Sequence, residues 1–226
     1  LLAAAAGTED ELLSARADLL RAKIAFATQR GRDAPPLLLA AAERLKPLEP
    51  ALARDTYLEA LMAAMIVGRL YAAEHVSAAA IAAAARHAPP PSGPPRAADL
   101  FLDGIVLRLT EGHATAAPLL KRAISQYLEE DEAGTADPRL HDITLRVLLD
   151  IFEQDTYSSL YARQVELLRA AGESTVLPAA LTTYAGGCVT SGDFVQAEDL
   201  LAQSEAISTA TGAPPHRSIQ TYPAAC

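Results

Sequence analysis

Acid–base catalysis needs two carboxylates on one surface, and the chain offers two such pairs: Asp99 with Asp103, and Asp150 with Glu153, each read as sharing a helix face. Solvated helix faces use the same residues at the same spacing, so neither pair marks a reacting centre by itself. The five histidines, His75, His87, His113, His141 and His216, are dispersed. None has a second ligand at helical spacing beyond the His141-Asp142 neighbourhood, which argues against a metal site. Ser191-Gly192-Asp193 lacks the strand that must precede a nucleophile elbow. Cys188 falls on the apolar side of its helix, as a small core residue does, rather than in a setting that would activate a thiol. Tyr57, Tyr71, Tyr127, Tyr157, Tyr161 and Tyr184 combine a stacking surface with a hydroxyl and are better functional candidates than the groups above, but core or inter-repeat packing is the commoner use of the same side chain and is the reading favoured for each. The reading assigns no catalytic, cofactor-binding or metal-binding residue and expects no enzyme.

Those residues sit in a sequence built almost wholly of helix formers. Alanine dominates, Trp and Asn are absent, and β-branched or aromatic runs are scarce, so the fold class expected is all-α. Residues 8–30 carry a capping candidate in Thr8, three acids in the first turn, and Leu12, Leu19, Leu20, Ile24 and Ala27 near one face. Gly31 breaks that helix, Asp33 can cap the next, and Pro35-Pro36 suit its first turn. Residues 51–69 set Tyr57, Leu58, Leu61, Met62 and Met65 at helical spacing before Gly68, and a partner helix over about 72–87 ends at PPPSGPP, read as an extended loop between repeats.

Residues 97–111 are apolar on more than one face, as in a helix sandwiched between neighbours. Gly112 turns the chain, Thr115 can cap the return helix with Leu119, Leu120, Ala123, Ile124 and Tyr127 on its buried side, and the acids of 129–132 read as a solvated loop. Two further pairs follow, 139–153 with 156–171 and 175–191 with 194–211. The expected hairpins are therefore 8–47, 50–88, 96–131, 137–172 and 174–212, in a single domain over 1–226, with 213–226 an incomplete sixth. Turn glycines recur at matching intervals: Gly31 to Gly68 is 37 residues, Gly68 to Gly112 is 44, Gly112 to Gly192 is 80, and Gly172 to Gly212 is 40. A period near 40 with two helices per period is the signature of a right-handed superhelical α-hairpin solenoid of about five pairs.

The charge and cysteine content narrow the partners. The formal net charge is −9, with ten acidic and ten basic side chains in residues 1–90 against eighteen and nine in 91–226. Duplex-binding and anionic-membrane surfaces are basic, so direct nucleic-acid or membrane contact is not expected. The sixteen arginines against three lysines reflect coding bias rather than a site. Two cysteines form no disulfide framework, which fits a reducing cytoplasm. The opening LLAAAAG lacks the basic flank and length of a signal peptide, and no apolar run reaches the length of a membrane span. A chain that starts at Leu and stops in TYPAAC is expected to be a piece of something longer.

Two resemblances sharpen the expectation. The run TYAGGCVTSGDFVQAEDLLAQSEA (183–206), with Gly-Asp-aromatic-x-x-Ala and a small residue at Ser204, resembles the second half of a tetratricopeptide repeat. DLLRAKIAFATQRGRDAPPLLLAAAERLKPLEPALARDTYLEALMAAM and PPPSGPPRAADLFLDGIVLRLTEGHATAAPLLKRAI resemble the helical-repeat region of the large ATP-binding LuxR-type, MalT-like transcriptional regulators, over most of residues 10–212. That family places a P-loop ATPase before the repeats and a helix-turn-helix after them. Neither motif stands in this chain, so ATP is implied for the whole family architecture and no cofactor for this segment.

The resemblance implies a sensor or interaction module that binds a small inducer or a protein segment in its groove. The alternatives are a spacer without ligand, or a helical enzyme domain using the paired carboxylates. The apolar face of the fifth pair is covered only by HRSIQTYPAAC, which leads to an expectation of self-association through that end, or of a masking fold-back of residues 213–226.

Overall fold

Helix boundaries fall where the sequence changes its backbone chemistry. Asp10 accepts a hydrogen bond from the Leu13 backbone at 3.1 Å and opens α1, Glu11–Ala27. Prolines occupy the first turn of α2, Ala34–Leu45, and Pro50 starts α3, Pro50–Val67. Ser77 caps α4, Ala78–Ala85, through the Ala80 backbone. Then come α5, Ala97–Glu111, and α6, His113–Glu132, followed by a 3-10 turn at Pro138–Leu140. The remaining helices are α7, His141–Asp150; α8, Gln154–Ala171; α9, Leu177–Ser191; and α10, Phe194–Thr211. The computed structural model describes residues 10–27, 33–67 and 76–212, and among these the chain is all-helical with no strand.

The chain divides into two compact units, 1–143 and 144–226. Within the first, α1 packs on α2, α2 on α3, α3 on both α4 and α5, α4 on α5, and α5 on α6. Its core gathers Leu38, Leu45, Tyr57, Leu61, Ile81, Phe101, Leu102, Ile105 and Leu120, all essentially excluded from solvent. Within the second, α8 packs on α9 and α9 on α10, around Leu148, Tyr157 and Leu181. The proline-rich link between α4 and α5 lies inside the first unit, with the helices on both sides of it.

Several local expectations change. Asp33 stands at the N-cap of α2, but its side chain makes no capping bond. Thr115 lies within α6, which begins two residues earlier after Gly112. The acids of 129–132 extend α6 rather than forming a loop, because Glu130 has work to do: its Oε1 accepts from the Ala97 backbone N–H at 3.0 Å and supplies the α5 N-terminus with a partner. On α1 the buried face is Ala15, Leu19 and Ala22, with Leu20 and Ile24 exposed, since the small residues let α1 lie close to its neighbour. Phe194 also leaves the buried stripe, which runs through Ala197, Leu200, Ser204 and Ser208. Thr8, Gly31, Gly68, Tyr71, His75, His216 and residues 213–226 lie outside the described residues.

In the second unit one turn departs from the pattern of the turns that follow it. At the ends of α8 and α9 the left-handed position is taken by Gly172 and Gly192, and the following amide reaches back to close the last turn (Glu173 to Leu168 O, 3.0 Å; Asp193 to Cys188 O, 2.8 Å). The end of α7 has the same pattern, with the Glu153 amide donating to Leu148 O at 3.0 Å, but Phe152 holds the left-handed position at φ 60°. A side chain there costs roughly 1–2 kcal/mol, and the ring gains nothing by burial because it is 87% exposed. Phe152→Gly is accordingly expected to stabilise the fold by about 1 kcal/mol, seen as a higher unfolding midpoint in thermal or urea denaturation; an unchanged or lower midpoint would show that the ring has a structural partner.

Candidate functional site

The first unit contains a pocket of about 320 Å³, within the range of small-molecule sites. Its apolar wall is Phe26, Leu38, Leu58, Met62, Ala98, Leu140 and Ile143, and its polar side is Lys23, Asp55, Glu59, Asp137, Arg139 and Asp142. Each side chain arrives for a local reason. α1 turns Lys23 and Phe26 towards α3, which supplies Asp55, Leu58, Glu59 and Met62 at three- and four-residue spacing, and the 3-10 turn with the start of α7 closes the far side.

The polar side is an ion network with few loose members. Lys23 Nζ and Arg139 Nη1 both bind Glu59 Oε1, at 2.9 and 2.8 Å, and Arg139 Nη2 donates to Asp137 Oδ2 at 2.6 Å. The guanidinium holds the Asp137 carboxyl below its ordinary range chiefly through those hydrogen bonds, and Asp137 in turn raises Arg139. Asp55 is bound by Arg96 from outside the pocket at 2.7 Å. Asp142 is exposed. Four carboxylates and two cations therefore face the pocket and, with Arg96 bound to Asp55 from outside, the surplus is one negative charge beside an apolar floor.

Behind the pocket, Arg54 is buried at 3% exposure and fastens three segments. Its Nε donates to Asp99 Oδ1 at 2.7 Å, Nη1 to the Pro89 carbonyl at 3.0 Å, and Nη2 to the Asp99 carbonyl at 3.0 Å and to Asp103 Oδ1 at 2.8 Å. Burial alone would raise the Asp99 carboxyl, but hydrogen bonds from Arg96 and Arg54 outweigh it and hold the group below the usual carboxylate range. Asp99 and Asp103 do share a helix face, as the sequence reading expected, and both are engaged by one arginine. Asp150 and Glu153 do not: Asp150 ends α7 and Glu153 precedes α8, with the Phe152 turn between them.

The described tyrosines are buried. Tyr57 is fully buried and donates to Glu43 Oε1 at 2.6 Å. Tyr127 is buried with its hydroxyl 3.3 Å from His141 Nδ1. Tyr157, Tyr161 and Tyr184 pack as a ladder, with ring centroids 4.7 Å apart for the first pair and 5.9 Å for the nearly parallel second pair. Cys188 is buried beneath Gln196, its thiol 3.4 Å from Oε1 and pushed up by burial. Among the described residues no three His, Cys, Asp or Glu side chains are grouped to hold a metal ion, and no helix is long and apolar enough to cross a membrane. The pocket residues were missed because none is unusual in sequence; the available signal was that Asp55 and Glu59 lie at i and i+4 beside an apolar stripe.

No family model, curated protein or solved structure matches the chain.

Proposed function

We propose that the chain is a non-enzymatic sensor module whose first unit binds a small amphipathic amine. The pocket carries this reading: an apolar chamber of about 320 Å³ with four carboxylates against two cations on its polar side suits an apolar body bearing an ammonium group. Asp142, exposed at the margin, offers the ammonium a carboxylate. The finer architecture proposed is the hairpin solenoid, supported by the run of sequential helix contacts and by the contact of α3 with α5, which joins the first helices of consecutive pairs. The resemblance to MalT-like regulators supports a place for this module between nucleotide-binding and DNA-binding parts, with the ligand acting as inducer.

The test is thermal shift and calorimetric titration with phenethylamine and hexylamine against phenylacetate and hexanoate. The amines are expected to raise the unfolding midpoint in a saturable way, the carboxylates to leave it unchanged, and Met62→Trp, which fills the chamber, to abolish the effect. No shift with any amine, or an equal shift in Met62→Trp, would leave the pocket without a ligand and favour a spacer role.

A further inference from the structure

Independently of the pocket, the second unit presents an edge with an unusual combination of features. The turn between α7 and α8 carries Phe152, 87% exposed in a left-handed backbone position, with Leu149 partly exposed one turn before it. The turn between α9 and α10 carries Phe194 and Val195, 58% and 81% exposed. These turns are neighbours. Gln154 Nε2, at the start of α8, donates to the Gly187 carbonyl near the end of α9 at 2.8 Å, and Thr190 Oγ1 lies 3.4 Å from Gln154 Oε1. An aromatic side chain kept in solvent, in a slot that the equivalent turn gives to glycine, is a cost that the fold itself does not explain.

The charge near the anchors in sequence is predominantly negative, with Arg146 on α7 the nearest cation. Asp150, Glu153, Asp155, Asp193, Glu198 and Asp199 lie within a few residues of the two turns. No Lys or Arg occurs between Arg146 and Arg163, or from Arg169 to the end of α10. A second copy of this chain, at net charge −9, would bring like charge to the same edge. An anionic membrane or a nucleic acid meets the same repulsion.

We propose that the edge formed by the α7–α8 and α9–α10 turns is a docking surface for a cationic amphipathic segment of a partner protein. Phe152, Phe194 and Val195 serve as its apolar anchors, and the surrounding carboxylates select lysine- and arginine-rich sequences. Apolar anchors give the contact its lifetime and the acidic field its approach rate and sign.

The probe is a fluorescein-labelled 18-residue helix of lysine, leucine and phenylalanine, titrated into the full chain by anisotropy. Two companions accompany it, one with every lysine changed to glutamate and one with every apolar residue changed to serine. Saturable binding of the first peptide alone is expected, weakened at least tenfold by Phe152→Gly and several-fold by Asp155→Asn with Glu198→Gln. Because Phe152→Gly should unfold at a higher temperature than the parent, loss of binding in that variant cannot be assigned to misfolding. Equal binding of the serine peptide, or undiminished binding by Phe152→Gly, would overturn the anchored contact. Binding of the glutamate peptide would overturn the charge argument. A concentration-dependent dimer of the chain, dissolved by Phe152→Gly, would show that the edge joins two copies instead.

Discussion

Arg54→Ala should lower the unfolding free energy by about 3 kcal/mol, because it takes from the buried Asp99 carboxylate one of its two arginine partners and leaves it to the half-exposed Arg96. Urea denaturation monitored by circular dichroism measures the loss, and a wild-type midpoint would show that the clasp is dispensable. Arg54→Met combined with Asp99→Asn should recover part of it, since no charge is then buried and the amide oxygen can still accept from the Arg96 backbone N–H as Asp99 Oδ2 does. The same pair sets an acid limb. Asp99 has a depressed carboxyl in the folded chain, so its contribution is complete above the unfolded value near pH 4 and disappears as pH falls through the lower folded value. The stability gap between the parent and Asp99→Asn should therefore be widest above about pH 4 and close below it.

Gly187→Ala has the second large expected effect, and its sign is the informative part. Within a helix this exchange ordinarily stabilises by about 0.5–1 kcal/mol. Here a Cβ on Gly187 would stand 2.0 Å from Tyr157 Cε1. The ring cannot retreat cheaply: it is 1% exposed, its hydroxyl donates to the Thr183 carbonyl at 3.1 Å, and Tyr161 packs against it. Overpacking of this kind costs about 1–3 kcal/mol. Thermal unfolding of Gly187→Ala, Tyr157→Leu and the double variant checks the contact, because a shorter side chain makes room for the methyl. The double variant should lose less than the two single changes together. Strict additivity would mean that helices α8 and α9 meet elsewhere.

The helices were legible because their ends are local. Asp193 accepts from the Gln196 backbone at 3.1 Å as a capping residue should, and Gly172, Gly192 and Gly212 take left-handed positions. The pocket was not legible because its charges come from α1, α3, the turn before α7 and the start of α7, and each looks like an ordinary solvated side chain until Glu59 brings Lys23 and Arg139 together. Arg54 was legible in principle. It precedes Leu58 and Leu61 by four and seven residues on the buried face of α3, where an arginine needs an acidic partner. The described tyrosines followed the packing reading: a type suited to binding is also suited to closing a gap between helices, and Tyr57, Tyr127, Tyr157, Tyr161 and Tyr184 are all buried.

Four hydrogen bonds from the one guanidinium of Arg54 join α3, α5 and the link at Pro89, and this has a kinetic side. Opening α5 takes both carboxylates from the buried Arg54, and opening α3 takes Arg54 from the buried Asp99, so the amides of these two helices are coupled in their exchange with solvent. Hydrogen exchange across the centre of the first unit should then follow a single shared opening, with α3 and α5 deprotecting together while α1, whose charged contacts all lie nearer the solvent, opens earlier and alone.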